Sequence, residues 1–238
     1  MKTTILYEDE HILICRKPAG LAVESAAIGQ MDMVSELKNY LKNPWLGVIH
    51  RLDQPVEGLL VFAKNSRAAA NLSEQLQKNI LQKQYLAAVC GSPRPAANRL
   101  VDYIRKDPGT RRSQITQKGQ PGAKEAVLMY EVLDTTSLPS CDHRISLLGV
   151  RIETGRFHQI RAQLSHAGHP LLGDRKYETV CSKEASEAAG ADSLALCASR
   201  LDFVHPFSGK KLCFQMRPTL GAFALFEEKL KKLDDIVT

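Results

Sequence analysis

The 238 residues contain no apolar run of eighteen, so no segment reads as a membrane-spanning helix. Met1-Lys2-Thr3-Thr4 leads into a strand-like Ile5 to Tyr7, not into a signal-peptide core. Six cysteines (Cys15, Cys90, Cys141, Cys181, Cys197, Cys213) show no CxxC spacing, which removes paired zinc ligands and a dithiol redox motif. They read as scattered reduced thiols, some of them small core residues. A Gly-rich nucleotide loop is missing too, as are internal repeats and low-complexity linkers. The expectation is one compact cytoplasmic unit over 1–238, two halves sharing a sheet, with no membrane, metal or cofactor and a monomer by default.

Charge is weakly one-sided. Thirty-two Lys and Arg against 26 Asp and Glu give +6, which permits a polyanionic partner. The distribution is more telling. Arg144, Arg151, Arg156, Arg161, Arg175 and Lys176 face only Glu153 and Asp174 over 144–176, and arginine's planar fork suits phosphate oxygens. A nucleic acid is favoured over an acidic protein.

The chain is organised around residues 50–64, His50-Arg51-Leu52-Asp53-Gln54-Pro55-Val56-Glu57-Gly58-Leu59-Leu60-Val61-Phe62-Ala63-Lys64. The second half reads as a buried strand. The first half places ionisable groups at its tip, with Pro55 and Gly58 predicting a bend or bulge between. If 48–53 is extended, Arg51 and Asp53 share a face. Taken bare, that pair is an exposed ion pair worth ~0–1 kcal/mol.

Residues 5–17 read as strand, turn, strand. Apolar spacing predicts a helix over Met33 to Leu41, capped by Asp32 and stopped by Pro44, and another from Asn65 or Ser66 to Lys78. Ile80 to Gly91 ends in a buried strand. Residues 92–125 are the loosest part, with strand fragments at Leu100 to Ile104 and Ser113 to Thr116 among turns, and form either a solvated, mobile excursion or an RNA-gripping loop carrying Arg105, Lys106, Arg111, Arg112, Lys118 and Lys124. Ala126 to Val132 and Ile145 to Ile152 form strands, with a long hairpin around Thr135 to His143. Thr154 or Gly155 starts a helix that Gly168 and Pro170 end. A short surface helix lies within 178–193. A hairpin turning at Pro206 to Gly209 precedes a final amphipathic helix, introduced by Pro218, with Phe223, Phe226 and Leu230 inward.

Several blocks carry a resemblance. His50-Arg51-Leu52-Asp53 with Gly58 to Lys64 resembles the signature of the RluA-type pseudouridine synthases. So do Lys17 to Val23 (KPxGLxV), Lys83 to Gly91 (KxYLAxVxG), Glu153 to Arg161 with Gly168 to Asp174 (TGRxHQIR…GHPIxGD), and Leu201 to Lys210 (LxFxHPxTG). Three positions depart from the pattern. The TSG-like turn after HRLD is Pro55-Val56-Glu57-Gly58 here, LHA is Leu196-Cys197-Ala198, and the YG of GDxxYG is Tyr177-Glu178.

The resemblance implies an α+β fold with a large, mixed, mostly antiparallel sheet flanked by helices around a central RNA-binding cleft; a separate S4-like domain is not expected. It implies isomerisation of uridines in a stem-loop of ribosomal or transfer RNA. Asp53 would be the catalytic carboxylate, Tyr85 would stack on the uracil, and Arg161 would hold Asp53 ionised and aimed. Arg51 would fill the space left by the flipped nucleotide, and His50, Arg156, His158, Gln159 and Leu196 would join it in substrate binding. Two rivals differ in class. One is an RNA-binding factor of the same fold without catalysis. The other is a metal-dependent phosphodiesterase using His158, His166, His169 and Asp174, although Gly168 and Pro170 end the helix before His169.

Overall fold

The computed structural model describes residues 2–25, 29–138, 143–219 and 221–234. In chain order the elements are β1 (Thr4–Glu8), β2 (Ile12–Lys17), α1 (Met33–Leu41), β3 (Gly47–Val48), β4 (Glu57–Ala63), α2 (Ser66–Gln77) and β5 (Gln82–Cys90). There follow β6 (Ala97–Asp107), β7 (Arg112–Thr116), β8 (Lys124–Ser137), β9 (Arg144–Ile152), α3 (Gln159–His166), α4 (Val180–Ala188), β10 (Leu196–Val204) and β11 (Lys211–Gln215). A 3-10 turn, Gly221–Phe226, leads into α5 (Glu227–Asp234). This is the expected α+β fold with a large, mostly antiparallel sheet. Two compact units are distinguishable, one of Met1–Gln84 with Cys197–Pro218 and one of Tyr85–Leu196 with Thr219–Thr238.

In the first unit β2 pairs antiparallel with both β1 and β4, and β3 adds to β4. All seven residues of β4 are buried, as its continuous apolar run requires. Leu59, Val61 and Ala63 share a face with Ile12 and Ile14, and Ala68 and Leu72 of α2 pack on it. Asp32 caps α1 by accepting from Ser35 N–H at 2.7 Å, and Asn65 caps α2 through Ala68 N–H at 2.9 Å. Helix α1 stops before Pro44, because Lys42 takes a left-handed conformation whose N–H returns to Asn39 and Lys38 carbonyls.

β10 joins this unit in parallel, Cys197 opposite Glu57 and Ala198 opposite Gly58, and β11 closes the predicted hairpin. Gly58 is indispensable there. Its φ is +147°, and a Cβ would lie 2.5 Å from that of Ala198 and 2.6 Å from its nitrogen. The HPxTG-like stretch is a pin. His205 Nε2 donates to Asp9 at 2.8 Å while its Nδ1 accepts from Phe207 and Ser208 N–H, tying the β10–β11 turn to the β1–β2 turn. Burial opposes charge on Asp9, yet the His11 and Ile12 N–H groups and Tyr7 hold its carboxyl down to about 2.

In the second unit β9, β8, β6 and β7 are successive antiparallel neighbours. The expected strand fragments Leu100 to Ile104 and Ser113 to Thr116 lie within β6 and β7, which pair through a turn at 108–111 with Arg111 at positive φ, so 92–125 is not a loose excursion. Only Ile104 of β6 is fully buried, so the apolar alternation that marks a strand is missing from its sequence. Helix α3 begins at Gln159, later than Thr154 or Gly155. Thr154 Oγ1 accepts from Val127 N–H and donates to Gln159, so it terminates the sheet and leaves the helix uncapped. A Thr179–Ser182 capping box starts α4. Phe223, Phe226 and Leu230 are buried as expected, although the chain enters their helix through the 3-10 turn. The connection within the β8–β9 hairpin, and with it Cys141, lies outside the described residues. The other five cysteines are free thiols.

Candidate active site

Asp53 stands on a turn. β3 ends at Val48, residues 49–53 run without regular structure, and Gln54-Pro55 turns the chain into β4, closed by Val56 N–H donating to Asp53 C=O at 3.0 Å. What fixes this turn is Lys17, whose side chain is fully buried. Its ammonium donates to the carbonyls of Pro18 (3.0 Å), Leu21 (2.6 Å) and Gln54 (2.9 Å), using all three of its N–H bonds. Gly20 N–H donates to Gln54 C=O, and the Gln54 side-chain amide returns the bond to Gly20 C=O. The Lys17-Pro18-Ala19-Gly20 segment thus clamps the residue next to Asp53. Burial pulls Lys17 down to about 8, and the carboxylates of Asp53 and Glu57 oppose that fall.

The neighbours of Asp53 in the signature behave differently. Arg51 is exposed and ion-paired with Glu24, a surface pair of little energy that a nucleic acid can displace. His50 is buried; its Nε2 accepts from Val61 N–H at 3.4 Å, and burial aided by Lys83 pushes its pKa well below the usual range. It is a neutral strut under the turn.

The second unit holds the other group. Arg161, from α3, grips Asp174 through two bonds, Nε to Oδ2 at 2.8 Å and Nη2 to Oδ1 at 2.7 Å, with both side chains essentially buried. Breaking such a buried pair by removing Asp174 alone costs about 3–5 kcal/mol. Arg161 Nη1 donates to His158 Nε2 at 3.1 Å, and His158 Nδ1 lies 3.0 Å from the Tyr177 hydroxyl. Burial, then the charges of Arg161 and Lys176, drive His158 down to about 3.

Gln159 is buried and its amide serves the loop, accepting from Arg156 N–H and Thr154 and donating to Val127 C=O. Arg156 is exposed, with Nε on Glu125 C=O. Tyr85 and Leu196 are buried at 6% and 4% exposure. The phosphodiesterase set does not assemble. Asp174 and His158 are turned to Arg161, His169 Nδ1 faces Cys90 C=O, and no group of three His, Cys, Asp or Glu among the described residues is placed to hold a metal ion.

The comparisons decide the family. A family model described as RNA pseudouridylate synthase matches residues 11–166. A tRNA pseudouridine synthase C of Haemophilus ducreyi is 33% identical over 222 residues, covering 89% of each chain. The chain belongs to the RluA-type RNA pseudouridine synthases. A ribosomal large subunit pseudouridine synthase D of Zymomonas mobilis is 35% identical, covering 88% of this chain and 67% of its own. Among solved structures, human RNA pseudouridylate synthase domain containing 4 shares the fold at a TM-score of 0.72 and 24% identity, over 96% of this chain and 93% of its own.

Sequence reasoning did not foresee the structural roles of Lys17, Asp174 and Tyr177. Lys17 sits in a block too short to signal a role. Asp174 entered the reading within the GD block and as a candidate metal ligand, and Tyr177 only where that block departs from the pattern, whereas the chain folds them onto Arg161 and His158 from 13 and 19 residues away.

Proposed function

We propose that this synthase isomerises specific uridines in ribosomal or transfer RNA to pseudouridine, with Asp53 as catalytic carboxylate. The N1–C1′ bond breaks, the uracil turns, and a C5–C1′ bond forms as the C5 proton leaves and N1 gains one. Tyr85 stacks on the base, and Arg161 aims the Asp53 carboxylate and keeps it ionised. The observation that carries the reading is the mount of Asp53: a partly buried carboxylate on a turn clamped by a three-donor lysine. A reacting group needs such fixed placement, since small displacements cost large factors in rate.

Asp53 cannot reach a stacked nucleotide, so the uridine must flip, at a cost of a few kcal/mol that is least in a loop. Exposed Arg105, Lys106, Arg111, Arg112, Lys118, Lys124 and Arg156 supply phosphate contacts to offset it. The names of the relatives support ribosomal and transfer RNA as the substrate class. The protein acts in the cytoplasm as a monomer without a cofactor.

The test is release of tritium from C5-labelled uridine in RNA isolated from cells lacking the gene, with the modified positions mapped against wild-type cells. Asp53→Asn is expected to abolish release and keep RNA binding. A variant that isomerises at the normal rate would exclude Asp53, and a wild-type protein that binds RNA without releasing tritium would leave the non-catalytic factor.

A further inference from the structure

His158 occupies an unusual place. It stands at the N-cap of α3 with φ at +49°, a left-handed conformation strained for a side chain with a Cβ, yet its imidazole makes no cap bond to the helix. Both ring nitrogens serve something else. A guanidinium only donates, so His158 Nε2 must be an acceptor toward Arg161 Nη1, and the ring proton must lie on Nδ1. That proton is donated to the Tyr177 hydroxyl oxygen, which also accepts from Ser113 N–H on β7. Phe157 stacks on the ring at 3.8 Å between centroids, and Ser113 Oγ holds the Phe157 carbonyl. The Tyr177 ring itself lies under the guanidinium, 5.2 Å from centroid to Cζ.

Arg161 is thereby held on two sides. Asp174 takes the Nε–Nη2 edge and His158 takes Nη1, so the planar group can neither roll about its stem nor slide. We propose that neutral His158 and Tyr177 are positioning residues of the synthase, a one-way chain of hydrogen bonds that fixes the roll of the Arg161 guanidinium. His158 is then a mount for Arg161 rather than a contact to RNA. The inference rests on the reading that Arg161 serves Asp53. The charged groups facing His158 are Arg161 of α3, Asp174 and Lys176 from the loop after it, and Lys106 of β6. Three of the four are cationic, which keeps the imidazole neutral and its Nε2 an acceptor throughout the assay range.

Tyr177→Phe removes the acceptor of the Nδ1 proton and frees the ring to take the other tautomer, which points an N–H at Arg161. His158→Gln keeps an acceptor near the Nε2 position, and His158→Leu does not. With C5-tritiated RNA as substrate, Tyr177→Phe and His158→Leu are expected to lose about tenfold in kcat at nearly unchanged KM. The acid limb of the kcat profile should rise by about half a pH unit or more, because a misaimed Arg161 holds Asp53 ionised less well. His158→Gln should recover most of the rate and the wild-type limb. A merely structural role would lower the active fraction equally at every pH and leave the limb in place. That result, or wild-type kinetics for Tyr177→Phe, overturns the proposal while an inactive Asp53→Asn leaves the functional reading standing. An active Asp53→Asn overturns both.

Discussion

Glu57 and Cys197 lie directly opposite one another in the parallel pairing of β4 and β10. Both are positions where the chain departs from its family's pattern, so the two departures form a single local exchange. The Glu57 carboxylate is 1% exposed and meets Arg16 of β2 at 3.5 Å. Burial, reinforced by that carboxylate, pushes the Cys197 thiol well above its ordinary pKa, and Arg16 only partly opposes it. Cys197 is a protonated packing residue and not a nucleophile. At pH 8 a thiol reagent should label exposed Cys181 in the native protein and reach Cys197 only after unfolding, as read by peptide mass mapping. Because the two side chains face each other, Glu57→Ser and Cys197→His should be non-additive by about 0.5–3 kcal/mol in a denaturation cycle. Strict additivity would mean the exchange is accidental.

Lys17→Met keeps the stem of the side chain and removes the head that gathers three carbonyls. Each buried acceptor left without a donor costs about 1–3 kcal/mol, moderated where water enters. The expected outcome is a lower midpoint in urea together with a fall in kcat greater than the loss of folded protein explains, since the Gln54 carbonyl beside Asp53 is released. RNA affinity should hold. Full activity in the folded fraction would show that the clamp does not matter to Asp53.

How much of this was legible depends on where the partners lie. The strand β4 and the turn before it could be read because their signals are contiguous: a buried apolar run, Pro55, Gly58. Helices α1 and α2 announced themselves through Asp32 and Asn65, whose bonds reach only three residues on. The clamp was hidden because Lys17 finds Gln54 across 37 positions. Thr154 misled for a related reason, its hydroxyl being taken by Val127 from a strand 27 residues earlier. Strands β6 and β7 were legible only as fragments, Leu100 to Ile104 and Ser113 to Thr116, because a ladder with both faces largely in water needs no hydrophobic alternation. Family motifs pointed to Asp53, Tyr85 and Arg161, but nothing local in the sequence says that Asp174 holds Arg161 from one side and His158 from the other.

Gly58→Ala should be among the most damaging single substitutions in the chain. The new methyl would sit within 2.7 Å of the Ala198 Cβ, nitrogen and oxygen, and the φ of +147° disfavours any side chain. Relief requires β4 and β10 to separate where Glu57 and Cys197 face each other. A loss of about 3 kcal/mol or more in urea denaturation is expected. A loss under 1 kcal/mol would mean that the two strands part at little cost.

Acid should destabilise the fold through its buried histidines. For His50 and His158 the folded pKa lies below the ordinary 6.5, well below for the first and at about 3 for the second. Below pH 6.5 the unfolded chain takes up protons that the folded one refuses, so the stability they contribute is full above 6.5 and lost as pH falls. Each group removes about 1.4 kcal/mol per pH unit until its folded pKa is reached. Unfolding free energy measured from pH 7 to 4.5 should therefore slope downward, and His158→Gln should flatten the slope. A profile unchanged by that substitution would mean that His158 is protonated in the fold.

The exposed cations of the β6–β7 ribbon should govern affinity and leave chemistry alone. Arg105, Lys106, Arg111 and Arg112 are exposed on it, with Lys106 lying over the Phe157 ring at 4.9 Å. If each meets a phosphate, binding releases counterions, and the logarithm of affinity falls with log salt by about 0.7–0.9 per contact. Arg112→Gln should then weaken RNA binding most at low salt and reduce that slope by about one, with kcat at saturating RNA unchanged. A loss of affinity of the same size at every salt concentration would argue for a contact to a base rather than to the backbone. No loss at all would place the RNA elsewhere.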